Sequence, residues 1–327
     1  MPDEGNPGVP IGAPRQAGWA VHMALTIKDI AKAANVSKAA VSYVINGKPG
    51  VSEETRRRIV EIMRQANFRP NATARGLAGQ RTEMLGLVIP DITDMFYANI
   101  VRGVENKAND FGYTLNLCTT HAVPSRERDV LDIFTSGRVD GVILMAYSLS
   151  RDYLEKLKRR GVPFVLIDSP VQDDSVFSIA IDNEDAGYQA TEYLIELGHK
   201  EIAFIHGSRD STDSEQRFAG YCRALQEHGL ACRENLVKSG QYERAGGYQA
   251  AKDLLRTEAS GASGTSAPTA VFAANDQMAL GVLAAAQELG LRVPEDLSII
   301  GVDDIEAVSL VNPPLTTVRQ PMYEVGV

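Results

Sequence analysis

The chain has 327 residues, 44% of them hydrophobic and 23% charged, with a formal net charge of −9, which is material for a small domain plus one large or two medium ones. No run of eighteen apolar residues occurs, so the sequence offers no membrane-spanning helix. Cys118, Cys222 and Cys232 form no CxxC pair and have no His cluster beside them, a pattern that indicates neither zinc nor disulfides and suits a reducing, cytoplasmic compartment.

Residues 1–23 are rich in Gly and Pro and carry acidic residues where a secretory signal would be basic, so the expectation is a disordered tail, with Met23 an alternative start to Met1. The first patterned stretch is TIKDIAKAANVSKAAVSYVIN, from Thr26 to Asn46. Thr26 can cap a helix with Asp29 at its third position, and Ile27, Ile30, Ala31 and Ala34 then share one face. Asn35 and Val36 make a turn, Ser37 caps a second helix, and Val41, Val44 and Ile45 face the first. Lys38, Ala39, Ser42, Tyr43 and Asn46 stay outside. Two helices this short cannot bury enough surface alone. A third follows from Ser52, with Glu53 and Glu54 in its first turn and Ile59, Ile62, Met63 and Ala66 facing inward. Three helices with an exposed second one describe a helix-turn-helix module, which places that second helix in the major groove of DNA.

Charge supports this reading. From Ala24 to Arg81 there are four Lys and seven Arg against one Asp and three Glu, a net of +7, and residues 82–327 carry −15. The basic head can neutralise phosphates while the acidic body is repelled by them. Lys38, Ala39 and Tyr43 are placed to meet base edges; Ser37, Ser42 and Asn46 are placed to meet phosphate, and Thr26 joins the DNA-contacting set.

Residues 68–81 read as neither core helix nor strand. Pro70 presets a helix start, Asn71 can cap it, and Ala72 to Ala78 can form two turns that Gly76 weakens by about 1 kcal/mol relative to Ala. From Thr82 onward, apolar runs such as GLVIP, TLNLCT, GVILMA, PFVLID, FSIAID, EIAFIHG, LVKSG, TAVFAAND and LSIIGVDD alternate with amphipathic helical stretches. That alternation predicts parallel sheet with crossover helices. A break near Ile181 predicts two doubly wound subdomains, 82–181 with 311–327 and 182–310. Ligands of such sheets bind beyond the carboxyl ends of the strands, where Asp91, Asp168, His206, Asn275 and Asp303 stand. Asn275 and Asp276 can equally be the cap of the following helix. The small polar stretch Gly261 to Pro268 reads as a surface loop. No dinucleotide or phosphate loop, nucleophile elbow or metal spacing is present, so no catalytic residue, metal or cofactor is expected.

The segments TIKDIAKAANVSKAAVSYVING and VSEETRRRIVEIMRQANFRPNATARGLAG, with ANDQMALG, GVDD and NPPLTTVRQ further on, resemble the LacI/GalR family of bacterial transcriptional regulators from Leu25 to the end. The resemblance implies a helix-turn-helix head (24–67), a hinge helix (68–81) and a periplasmic-binding-protein-like body (82–327). It further implies a homodimer or tetramer on a pseudo-palindromic operator, with Leu77 entering the minor groove as a wedge and Asn71 close by. It assigns Arg217, Asn275, Asp303 and Asp168 to polar contacts with a small effector, and Phe96, Tyr97 and Tyr242 to its aromatic walls. Such a set suits a sugar first and a purine or nucleoside second. Relative to the family, the chain stops at Val327 where a further helix and strand are expected. A secreted solute receptor would share the body but lack the basic head, and an architectural DNA binder would have no need of the cleft.

Overall fold

The computed structural model describes residues 25–45, 47–66, 68, 81–145, 150–168, 175–208, 211–256 and 267–327. The chain divides into two compact units, Met1–Arg75 and Gly76–Val327. The expected tail at residues 1–23, Asn46, Asn71, Leu77, nearly all of the hinge segment and most of the Gly261–Pro268 stretch lie outside the described residues.

The first unit holds α1 (Ile27–Ala34), α2 (Lys38–Ile45) and α3 (Glu53–Gln65). Asp29 accepts hydrogen bonds from the Thr26 N–H (2.9 Å) and Oγ1–H (2.7 Å), which hold its carboxyl below the usual range. Asn35 ends α1 in the left-handed conformation, one that asparagine tolerates better than most residues. Ile30, Ala31, Ala34, Val41, Val44 and Ile59 close a single core, with Ile62, Met63 and Ala66 against its edge. Ile27, expected on the inner face, is exposed and stands outside this core.

The second unit has two five-stranded parallel sheets. The first runs β2–β1–β3–β4–β5, with β1 Met84–Ile89, β2 Thr114–Thr119, β3 Gly141–Leu144, β4 Phe164–Ile167 and β5 Phe177–Ile179. Between them come α4 (Met95–Asp110), α5 (Pro124–Phe134) and α6 (Arg151–Arg159). The second sheet runs β10–β9–β8–β6–β7, with β6 Ile202–His206, β7 Val237–Ser239, β8 Ala270–Ala273, β9 Ser298–Asp303 and β10 Thr316–Arg319. Its helices are α7 (Asn183–Glu196), α8 (Thr212–Glu227), α9 (Arg244–Arg256), α10 (Asp276–Glu288) and the short α11 (Glu306–Leu310). Every residue of β6 and β8 is buried, as expected of central strands covered on both faces, and this is why they read as unbroken apolar runs. Among the described residues no helix is long and apolar enough to cross a membrane.

Two expectations are corrected. Residues 311–327 do not all return to the first subdomain: β10 pairs in parallel with β9, from Thr316 with Ile300 to Arg319 with Asp303. Only α12 (Met322–Gly326) packs on α4. The strand TTVR escapes the hydrophobic pattern because it is a sheet edge, with both end residues exposed; Thr317 ties it down by donating to Asp276 Oδ1 at 2.6 Å. The second correction is that Cys222 and Cys232 are bonded, with Cα atoms 5.5 Å apart. The chain turns at the end of α8 and comes back along its last turn, a return that cysteine spacing cannot reveal. Cys118 is free.

Candidate functional site

The site begins with how α8 is held. Gly187 on α7 and Gly220 on α8 let the two helix backbones touch: a Cβ on Gly187 would collide with the Arg217 carbonyl oxygen, and one on Gly220 with that of Glu184. This approach sets Arg217 in the interior, 3% exposed. Its Nε donates to Asn183 Oδ1 at 3.0 Å and its Nη1 to the Ala274 carbonyl at 2.5 Å. Its Nη2 lies 4.0 Å from Asp213 Oδ2. Burial opposes the guanidinium charge, but Asp303, Tyr242, Asp213 and Asp168 outweigh it and hold the arginine firmly protonated. Burial also pushes the Asp303 carboxyl well above its ordinary value, against the pull of Arg217. Asp168 is raised to about 6, by burial first and by Asp213 second, with Arg217 opposing.

In front of this cluster opens a cavity of about 530 Å³, within the size range of small-molecule sites. The first subdomain contributes Asp91, Asp94, Phe96 and Tyr97 from the end of β1 and the start of α4, and His121 after β2. The second contributes Ser211, Asp213 and Arg217 from α8 and the loop before it, Tyr242 and Glu243 after β7, Asn275 after β8 and Asp303 at the end of β9. All come from the carboxyl ends of strands, where doubly wound sheets place their ligands. The backbone is strained there. His121, Ala122, Asp168, Gln241, Tyr242, Asp303 and Asp304 all have positive φ, with Asp303 at 122°, and each non-glycine residue so held costs on the order of 1–3 kcal/mol.

The two segments that cross between the subdomains each lend this cluster an amide. Asn183, where the chain enters the second sheet, accepts from Arg217 and donates to Asp168 Oδ1 at 3.4 Å. Gln320, where the chain leaves it, is 6% exposed and donates to Asp303 Oδ1 at 2.9 Å. The groups that face the cavity are thereby one hydrogen bond from both crossovers.

Of the seven residues assigned to ligand contact, Phe96, Tyr97, Arg217, Tyr242, Asn275 and Asp303 line the cavity. Asp168 stands behind Arg217, reached through Asn183. Asn275 is the cap of α10 as well as part of the cavity lining: its Oδ1 accepts from the Met278 N–H at 3.0 Å, and its Nδ2 donates to the Tyr242 carbonyl at 3.3 Å. Asp276 is a structural carboxylate, accepting from Ile305 N–H and Thr317 Oγ1. His206 is buried in the core, against Phe204 and Phe218 and bonded to Ser214. Asp94, Asp213, Glu243, Ser211 and His121 were missed by sequence reasoning. Asp213 was findable, since it precedes Arg217 by four residues on one helix and so shares its face.

Tyr242 is locked in place. Its hydroxyl donates to Asp213 Oδ2 at 2.7 Å and meets Ser211 Oγ at 3.1 Å, and its ring lies so close to Gly207 that a Cβ there would overlap it. Gly207→Ala is therefore expected to displace the ring and weaken ligand binding about tenfold or more, while DNA binding in the absence of ligand is retained. Calorimetric titration beside a DNA-binding assay measures both.

On the first unit, Lys38 and Ala39 are exposed, Tyr43 is 44% exposed and Ser42 is half-buried. Ser37 Oγ accepts from the Ala40 N–H at 3.1 Å, which caps α2. The Tyr43 ring lies against Gly50. The exposed side of α2 thus carries a cation, a methyl group and a phenol, with the capping hydroxyl of Ser37 at the start of the helix.

Residues 26–71 match the family described as bacterial regulatory proteins, lacI family, and residues 191–327 match a periplasmic binding protein-like domain. The chain is 39% identical to catabolite control protein A of Priestia megaterium over 305 residues, covering 93% of this chain and 90% of that protein. Among solved structures it resembles the lac repressor dimer bound to operator and the anti-inducer ONPF, with a TM-score of 0.77 and 29% identity over 92% of this chain and 89% of that one. It also resembles the complex of the transcriptional regulator CelR with cellobiose, with a TM-score of 0.66 and 32% identity over 92% of this chain and 90% of that one.

Proposed function

This chain belongs to the lacI family of bacterial regulatory proteins, DNA-binding transcriptional repressors controlled by a small molecule, and on that premise we propose that it is a cytoplasmic homodimer whose operator affinity is set by a sugar in the cleft. The observation that carries the sugar reading is the wall itself. A buried guanidinium, carboxylates and the aromatic side chains of Phe96, Tyr97 and Tyr242 line one cavity, which suits a ring that is apolar on its face and hydroxylated on its edge. The cellobiose complex of CelR supports the same ligand class.

Lys38, Ala39 and Tyr43 read base edges in the major groove, and Thr26, Ser37, Ser42 and Asn46 contact the backbone around them. Asn71 and Leu77 belong to a segment that orders on DNA, with Leu77 as the minor-groove wedge. A ligand touching Arg217 and Asp303 alters what Asn183 and Gln320 bind, and so biases the angle between the subdomains. In a dimer that angle sets the spacing of the two hinges and thereby DNA affinity.

The test is selection of genomic fragments on the purified protein, followed by anisotropy titrations with neutral sugars and, as a competitor class, purines. One fragment is expected to be retained over random duplex, and one sugar is expected to change its affinity by about ten- to a hundredfold. Binding that prefers no fragment would end the regulator reading; a response to purines alone would replace the sugar.

A further inference from the structure

Carboxyl groups outnumber cations in the cavity. Asp91, Asp94, Asp213, Glu243 and Asp303 line it against a single arginine and one histidine, with Asp168 behind that arginine. The arginine is largely committed: Nε and Nη1 are spent on Asn183 and Ala274, and Nη2 faces Asp213. Other donors of the wall are engaged as well. The Tyr242 hydroxyl goes to Asp213, and Asn275 Nδ2 goes to the Tyr242 carbonyl. The carboxylates, by contrast, present acceptors. Asp91, Asp94 and Asp303 each satisfy an internal donor through Oδ1, from Thr93, Phe96 and Gln320 respectively. A wall that accepts more than it donates is complementary to hydroxyl or ammonium groups. Against a phosphate or carboxylate it sets like charge in a partly desolvated space, where such juxtaposition is costly.

We propose that the cleft selects its sugar by charge, admitting neutral or amine-bearing polyhydroxy ligands and refusing sugar phosphates and sugar acids, with Asp94, Asp213 and Glu243 as the residues that set the selection. The inference rests on the sugar reading above and narrows it. Asp94 lines the cavity from the first subdomain and Asp213 from the second, beside Arg217, so an anion drawn in by Arg217 enters a space with carboxylates from both subdomains. The exclusion is electrostatic and does not depend on the ring that carries the anion.

Matched sets separate this inference from the reading beneath it. Glucose, glucose 6-phosphate and glucosamine, ribose and ribose 5-phosphate, and cellobiose and cellobionate are titrated calorimetrically into the full chain. Within a set whose neutral member binds, the anionic member is expected to bind at least about a hundredfold more weakly, and glucosamine no more weakly than glucose. In Asp94→Asn with Glu243→Gln that gap is expected to narrow by about tenfold; the asparagine keeps an oxygen to cap α4, so folding is not at stake. A phosphorylated member that binds as well as its parent overturns the charge selection and leaves the sugar reading standing. A gap unchanged in the double variant overturns the role of these residues. Silence from every member, with a purine bound instead, removes the sugar reading and this inference together.

Discussion

Ile59→Ala is expected to unfold the helix-turn-helix unit and abolish operator binding, while the body keeps its fold and its ligand titration. Ile59 is fully buried, the central contact between α3 and the pair α1–α2. Truncating a buried isoleucine to alanine costs about 2–5 kcal/mol. A core of this size supplies only about 3–5 kcal/mol in all, so one substitution removes most of it. The loss remains local because the head is a compact unit of its own, with a core cluster separate from those of the body. Val60, the next residue and 51% exposed, is the control: Val60→Ala is expected to change stability by no more than about 0.5 kcal/mol. Hydrogen exchange resolved by peptide reads the two units separately. Unchanged protection of residues 27–65 in Ile59→Ala would show that the head does not depend on this side chain.

That head was legible from sequence because three constraints coincide in it. Helical spacing puts Ile30, Ala31 and Ala34 on one face, Thr26 with Asp29 spells a capping box, and Ser37 and Ser52 open the next two helices where the apolar pattern restarts. The body was legible for a different reason. Central parallel strands covered on both faces are apolar throughout, so nine of the ten strands were marked by their runs, and those of β1, β8 and β9 are followed by or end in polar residues that meet the cavity, Asp91, Asn275 and Asp303. What failed to show was what depends on distance in space. Strand β10 is an edge with exposed ends, held by its pairing with β9 and by side chains such as Thr317, which bonds to Asp276. The Cys222–Cys232 bond closes a turn that no motif announces. Asp94 caps α4 and Asp213 sits in the first turn of α8, places where an acidic residue is expected for the cap or the helix dipole alone. Their second role appears only when two sheets bring them to one cavity. Asp168 shows the converse, a residue assigned to ligand contact whose side chain lies one amide short of the cavity wall.

Arg217→Ala is expected to abolish the ligand response and to lower the melting temperature of the body by about 10 °C near pH 8. Breaking a buried charge cluster by removing one partner costs on the order of 3–5 kcal/mol, and a unit of this size loses about 2–4 °C per kcal/mol. Most of the cost lies in the groups left behind. Without the guanidinium, Asp303, Asp168 and Asp213 share an interior with no cation, and Asn183 Oδ1 and the Ala274 carbonyl lose their donor. The pH dependence carries the sign of that mechanism. Burial already lifts Asp303 well above its ordinary value and Asp168 to about 6 against the pull of Arg217, and removing Arg217 lifts both further. A carboxyl whose folded pKa exceeds its unfolded one binds its proton more tightly in the folded state. Stability is then greatest below the unfolded value near 4 and falls as pH rises through the folded pKa. The gap between variant and parent should therefore be smaller at pH 5, where the carboxyls can take up protons and only the lost donors still cost, and widen through pH 6 to 8. Arg217→Lys tests what the fork adds to the charge. An ammonium returns the cation and most of the high-pH stability, but a point charge cannot bridge Asn183 and Ala274 while also meeting a ligand, so the sugar response should stay lost. A melting gap equal at pH 5 and pH 8, or a lysine variant that binds sugar like the parent, would mean that Arg217 serves by filling space and not by organising charge.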